Sequence, residues 1–272
     1  MSIDEVCLLD GEYYTVITNK DGHGKKGSLA AIIKGTKHSI VSEALSKVPV
    51  HIRYAVEEIT YDFANSMDWI CRTCFPNARK IGDRFHAQKI VSEGVQEIRI
   101  ELRRKAIDKE NELKIEARKE KRVFKTKVYE NGETEKQILA RSRYLLFKPK
   151  SRWSTADHNR AKILFELFPE LKKAYHLSMY FRNIYETAES IDEAKISFKK
   201  WFEKISESSL KQMISVGNSI ENNLGLVLGY FDSKATNASA ESFNAKLKGF
   251  RNLVRGVSDK NFFLFRIEKI FA

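Results

Sequence analysis

The chain has 272 residues, enough for one large domain or for a domain carrying a substantial insertion. Its 48 lysines and arginines outnumber 36 acidic residues, and the formal net charge of +12 favours a polyanionic partner. Three cysteines exclude a disulfide-stapled secreted fold, and no apolar run approaches the roughly 20 residues of a membrane span.

The N-terminal MSIDEVCLL reads as a first strand and carries acids where a signal peptide carries bases, which predicts a cytoplasmic protein with no membrane partner. EYYTVITN and GSLAAIIKG follow as strands, joined by the polar loop KDGHGKK. HIRYAVEEITYDF predicts a fourth strand ending at Asp62, FANSMDWICRTCF a helix closed by Pro76, and ARKIGDRF a short fifth strand before Asp83. Three strands that can form a meander, then strand, helix and strand, point to a mixed α/β sheet of the ribonuclease H kind over residues 1–92. Ligands of open α/β sheets gather at the carboxyl ends of strands, where Asp62 and Asp83 fall.

Residues 93–228 read as an all-helical insertion. Between Arg99 and Lys127 lie twelve basic and six acidic residues, the mark of a solvated helix or of one facing nucleic acid. YENGETEK around Gly132 predicts a turn between helices. From Ser154 to Glu207 a second helical stretch carries Leu164, Phe165, Leu167, Phe168, Leu171, Phe198, Trp201 and Phe202 as core stripes. Trp153 and Trp201 read as core residues, with stacking on an unpaired base as the alternative. Residues 229–272 return to the sheet domain: a helix starts near Asn237 or Ser239 and carries Glu241, and DKNFFLFRIEKIF is apolar enough to pack on the sheet.

Asp4, Asp62 and Glu241 lie far apart in sequence, each at a strand or a helix start. Taken singly each is a surface charge or a helix cap; brought together they would suit a hard divalent cation, which prefers oxygen ligands. Asp83 reads as a helix cap, as a residue behind such a site or as the rival of Asp62 for the ligand role, and His86 as a structural residue or one behind the site, with metal binding the alternative. Cys71-x-x-Cys74 is half a zinc motif with no second half, and therefore a pair of buried helix thiols. The glycine-lysine loop lacks P-loop spacing. Asn244 and Lys248 follow Glu241 on one helix face, and with Lys246, Arg251 and Arg255 they would present amide and cation to a phosphate backbone.

The wording SIDE at Ser2–Glu5, the TNK-glycine-lysine loop at Thr18–Gly27, DRFH at Asp83–His86 and AESFN at Ala240–Asn244 resembles the DDE transposases of bacterial insertion sequences, over essentially the whole chain. The resemblance implies a ribonuclease H-like core with a helical insertion before the last catalytic helix, carrying that helix in residues 229–272. It implies Asp4, Asp62 and Glu241 as catalytic, metal-binding carboxylates, with Asp4 shared between two Mg²⁺ or Mn²⁺ ions because a central strand is the most rigid platform. It implies Asp83 and His86 behind them, and Arg84 among the DNA contacts. Cleavage and joining of DNA at insertion-sequence ends follows, with self-association on terminal repeats and target DNA. A nuclease that cuts without joining and a noncatalytic DNA-binding derivative are the alternatives. Because the chain begins three residues before Asp4, a separate DNA-binding protein, or a longer product, is expected to read the terminal repeats.

Overall fold

The computed structural model describes residues 1–9, 11–254, 256 and 258–272. The chain forms two compact units, one from residues 1–87 and 223–272, the other from residues 88–222.

The first unit is built on five strands: β1 (Ser2–Leu9), β2 (Glu12–Thr18), β3 (Leu29–Lys34), β4 (Glu58–Tyr61) and β5 (Arg79–Gly82). Their order across the sheet is β3-β2-β1-β4-β5. The first three pair antiparallel, whereas β4 runs parallel to β1 and β5 parallel to β4. A meander followed by two parallel crossover strands, with helices on both faces, is a ribonuclease H-like fold, and β1 is its central strand.

Side-chain alternation along β1 sorts the two cores. Ile3 faces a cluster with Ile17, Ile59 and Tyr61 that is covered by α1 (His38–Ser46) and α3 (Asn65–Cys74), through Val41, Leu45, Met67, Ile70 and Cys71. Val6 and Leu8 face the other side, where α11 (Ala238–Leu253) and α12 (Lys260–Phe271) supply Phe243, Leu247, Phe263 and Ile267. Each such side chain removed from water contributes on the order of 1.5–3 kcal/mol. Asp259 starts α12 by accepting from the backbone N–H groups of Asn261 and Phe262 at 2.9 and 3.1 Å. The C-terminal segment thus packs on the sheet as its composition predicts, and Cys71 and Cys74 are buried thiols of α3.

The expected fourth strand is shorter than the sequence suggests. Its first part is the helix α2 (Val50–Tyr54), and β4 holds only four residues. Pro49 at the helix start carries φ −51°, close to the value the helix needs, which favours a turn where the β-branched residues favour a strand. The last helix of this unit before the site, α10 (Leu224–Ser233), lies so close to β5 that a Cβ on Gly229 would stand 2.7 Å from the Lys80 carbonyl oxygen.

The long helix α4 (Arg84–Lys119) begins in the first unit, and its remainder belongs to the second. The second unit continues with α5 (Glu135–Arg141), α6 (Thr155–Leu167), α7 (Pro169–Thr187), α8 (Ile191–Ser208) and α9 (Lys211–Asn222). The expected stretch from Ser154 to Glu207 is therefore three helices: Pro169 restarts the chain after Phe168, and Ser190 accepts from the Glu193 N–H to open α8. Trp201 is fully buried, donates to the Leu177 carbonyl at 2.9 Å and packs on Phe181 with ring centroids 4.9 Å apart. Trp153 is partly buried against Tyr175 and Phe165. Gly132, at φ +76°, turns the chain where the buried Glu133 carboxylate meets the exposed Arg141 and the half-buried Arg160 in an ion-pair cluster.

Candidate active site

Three elements deliver acids to one end of the sheet. Asp4 belongs to β1 and shares the α11 face with Ser2 and Val6, since alternate residues of a strand point the same way. Its Oδ1 accepts from the Glu5 N–H and its Oδ2 from the Asn244 amide, both at 2.8 Å. Asp62 follows β4 and accepts from the Ala64 N–H at 3.0 Å. Glu241 lies in the first turn of α11 and is exposed.

Asp83, just past β5, is wholly buried. One of its oxygens accepts from the N–H groups of Phe85 at 3.3 Å and Asn237 at 3.4 Å, and the other meets His86 Nδ1 at 2.8 Å. It thereby caps α4 and reaches the start of α11. Among the described residues, Asp83, His86 and Glu241 bring one ligand atom each to within 4.8 Å of one another.

The electrostatics tie these groups together. Burial raises the Asp4 pKa and the nearby Asp62 charge raises it further, against the Glu5 N–H and Asn244 bonds that lower it. Burial likewise raises Glu241, helped by the charges of Asp83 and Asp4. His86 is raised chiefly by its hydrogen bond to Asp83 and further by Asp62 and Asp4. Asp4, Asp62, Asp83, His86 and Glu241 thus feel one another's charges, and among the described residues the group close enough to share one ion is Asp83, His86 and Glu241. Such a donor set fits a hard divalent cation, whose charge would relieve the repulsion among the acids.

The basic residues expected to meet DNA divide by partner. Arg84 donates to the Tyr230 hydroxyl at 3.2 Å and lies over its ring. Lys246 donates to the Gly24 carbonyl at 3.2 Å, so α11 holds the glycine-lysine loop. Arg251 donates to the Val254 carbonyl at 3.2 Å and stacks over Phe263, and Lys248 is exposed. Arg255 lies outside the described residues.

Sequence reasoning passed over Lys20. Its ammonium nitrogen is shut off from solvent without a hydrogen-bond partner, and burial lowers its pKa against the charges of Glu58 and Asp83. Its place in the TNK wording was the one available signal. Asn244 was expected as a DNA contact rather than as the partner of Asp4; a spacing of i, i+3 from Glu241 says which helix face it shares but not what lies opposite.

Residues 1–267 match the family model of the ISL3-type DDE transposases, described as transposase. The chain belongs to this transposase family. No curated protein and no solved structure matches the chain. As a transposase it acts on DNA, in keeping with its +12 charge. Among the described residues no helix of the transposase is long and apolar enough to cross a membrane.

Proposed function

We propose that the first unit is the catalytic core of an enzyme that cleaves DNA at insertion-sequence ends and joins the freed 3′ ends to target DNA. Asp4, Asp62 and Glu241 would hold two Mg²⁺ or Mn²⁺ ions, and Asp4, on the rigid central strand, would serve as the ligand common to both. When bound, the ions supply Lewis-acid stabilisation of the phosphate charge and lower the pKa of the attacking hydroxyl or water. The helical unit between residues 88 and 222 interrupts the core before α11, the helix of the last carboxylate.

The chain's own residues set the geometry. The observation that carries the reading is the bond from Asn244 to Asp4, which locks the Glu241 helix against the central strand. Asp83 is assigned a supporting role rather than a ligand role because it is wholly buried, whereas Asp4, whose oxygens also accept from protein groups, is only partly buried. Asp62 is half-buried, with its Oδ1 used by the Ala64 N–H, which leaves lone pairs for a cation. Holding Nδ1 at Asp83 orients the His86 ring. Lys248 and its neighbours on α11 bind the phosphate backbone, and a multimer of this chain brings two ends together.

A duplex ending in a pre-cut 3′-hydroxyl tests the reading. With Mg²⁺ the protein is expected to nick an uncut duplex and to join the pre-cut one covalently to target DNA, and Asp4→Asn, Asp62→Asn and Glu241→Gln are each expected to abolish both. Nicking without joining would indicate a nuclease. Full activity in Asp62→Asn together with loss in Asp83→Asn would move the ligand role to Asp83.

A further inference from the structure

Beneath the acids lies a buried polar chain that neither metal binding nor DNA contact accounts for. Ser2, Thr60, Asn237 and Asp83 are all fully buried. Ser2 and Thr60 are register partners across the parallel pair β1–β4. Thr60 Oγ1 stands 2.9 Å from Ser2 Oγ and 3.1 Å from Asn237 Oδ1. One hydroxyl proton cannot serve both neighbours, and a carbonyl oxygen only accepts. Both contacts are satisfied when Ser2 donates to Thr60 and Thr60 donates to Asn237. The Asn237 N–H then reaches Asp83 Oδ1 at 3.4 Å.

Each member lies close in sequence to a residue of the cluster above it. Ser2 is two positions before Asp4, Thr60 two before Asp62, and Asn237 four before Glu241, whose N–H makes its helical bond to the Asn237 carbonyl at 3.1 Å. Asn237 occupies the N-cap position of α11, yet its side chain makes no capping bond. Asparagine is among the best N-cap residues, so an uncapped helix start here is a departure that needs a reason. The reason is that its carbonyl oxygen is turned to Thr60.

We infer that the Thr60–Asn237 bond positions Glu241, by pinning the first turn of α11 to strand β4 in place of an ordinary helix cap. Thr60 and Asn237 are positioning residues and touch no substrate. The inference rests on the reading of Glu241 as a metal ligand, but its first test does not. Thr60→Val keeps the strand-forming branch and the volume while removing the hydroxyl, and Thr60→Ser keeps the hydroxyl.

In metal-free protein, with folding checked by circular dichroism, Thr60→Val is expected to speed amide hydrogen exchange across residues 238–247 about fivefold, the ratio for one net hydrogen bond, with Thr60→Ser like the parent. In a Mn²⁺ titration followed by calorimetry, Thr60→Val is expected to bind about 10- to 100-fold more weakly, again restored by Thr60→Ser. Exchange unchanged in Thr60→Val, or equally fast in Thr60→Ser, overturns the inference. So does faster exchange with unaltered Mn²⁺ affinity. A parent protein that binds no Mn²⁺ sinks the proposed metal chemistry instead, and exchange alone then decides whether the bond pins the helix.

Discussion

Asn244 donates its amide to Asp4 Oδ2 at 2.8 Å across a sequence separation of 240 residues. A neutral donor to a half-buried carboxylate contributes on the order of 1.5–3 kcal/mol, because the acceptor is charged. Asn244→Ala is expected to lower unfolding free energy by about 1–2 kcal/mol and to weaken Mn²⁺ binding. Urea denaturation and calorimetry read the two effects.

Asp4 itself should trade stability against function. Its folded pKa is raised, chiefly by burial and then by Asp62, so at neutral pH the ionised carboxylate opposes folding. Asp4→Asn removes that charge and is expected to raise the melting temperature of metal-free protein. Added Mn²⁺ should stabilise the parent by about 2.7 kcal/mol at a hundredfold excess over Kd, and Asp4→Asn hardly at all. A thermal shift series with and without Mn²⁺ shows both signs in one experiment.

In the helical unit the pH dependence runs the opposite way. Glu133 is nearly inaccessible to solvent and paired with Arg160 and Arg141, which hold its pKa down to about 2. A depressed carboxylate pKa stabilises above the unfolded value and is lost as pH falls, here between about 4.5 and 2. Glu133→Gln is expected to be less stable than the parent at pH 7 by a few kcal/mol and to lose the difference toward pH 2, as denaturation across that range would record.

Gly229 lets α10 approach β5, and a Cβ there would stand 2.7 Å from the Lys80 carbonyl oxygen. The clash is with backbone, which cannot swing aside as a side-chain tip can. Gly229→Ala is expected to cost about 1–3 kcal/mol, despite the better helix propensity of alanine, in chemical denaturation.

Lys248 is exposed on α11, while Lys246 on the same helix is engaged with the Gly24 carbonyl. Lys248→Ala is expected to weaken DNA binding equally for all sequences and to reduce the slope of log affinity against log salt by about 1. Fluorescence anisotropy at several salt concentrations gives the slope.

Much of the fold was legible because it is written locally. The short β-type runs SIDEVCLL and EYYTVIT, set off by polar punctuation, place β1 and β2, and the apolar content of NFFLFRIEKIF places that segment on the sheet, though not as the helix α12 it forms. The start of α11 at Asn237 was legible too, but the use of that residue was not: cap chemistry predicts a side chain turned to its own helix, and a buried hydroxyl on another strand outcompeted it. HIRY failed for a related reason, since its β-branched and aromatic residues favour a strand until Pro49 sets the backbone for a turn.

By itself, the sequence determined the basic charge, the existence of most strands and helices though not their bounds, and the order of the motifs, since these depend on residues a few positions apart. Only the tertiary structure decided that β4 inserts beside β1, that Asp83 is sealed while Asp62 is half open, and that Asn244 reaches Asp4 rather than solvent. Strand order and burial are set by the packing of the whole sheet against its helices. No window of sequence contains the distance between two carboxylates that meet only after that packing is complete.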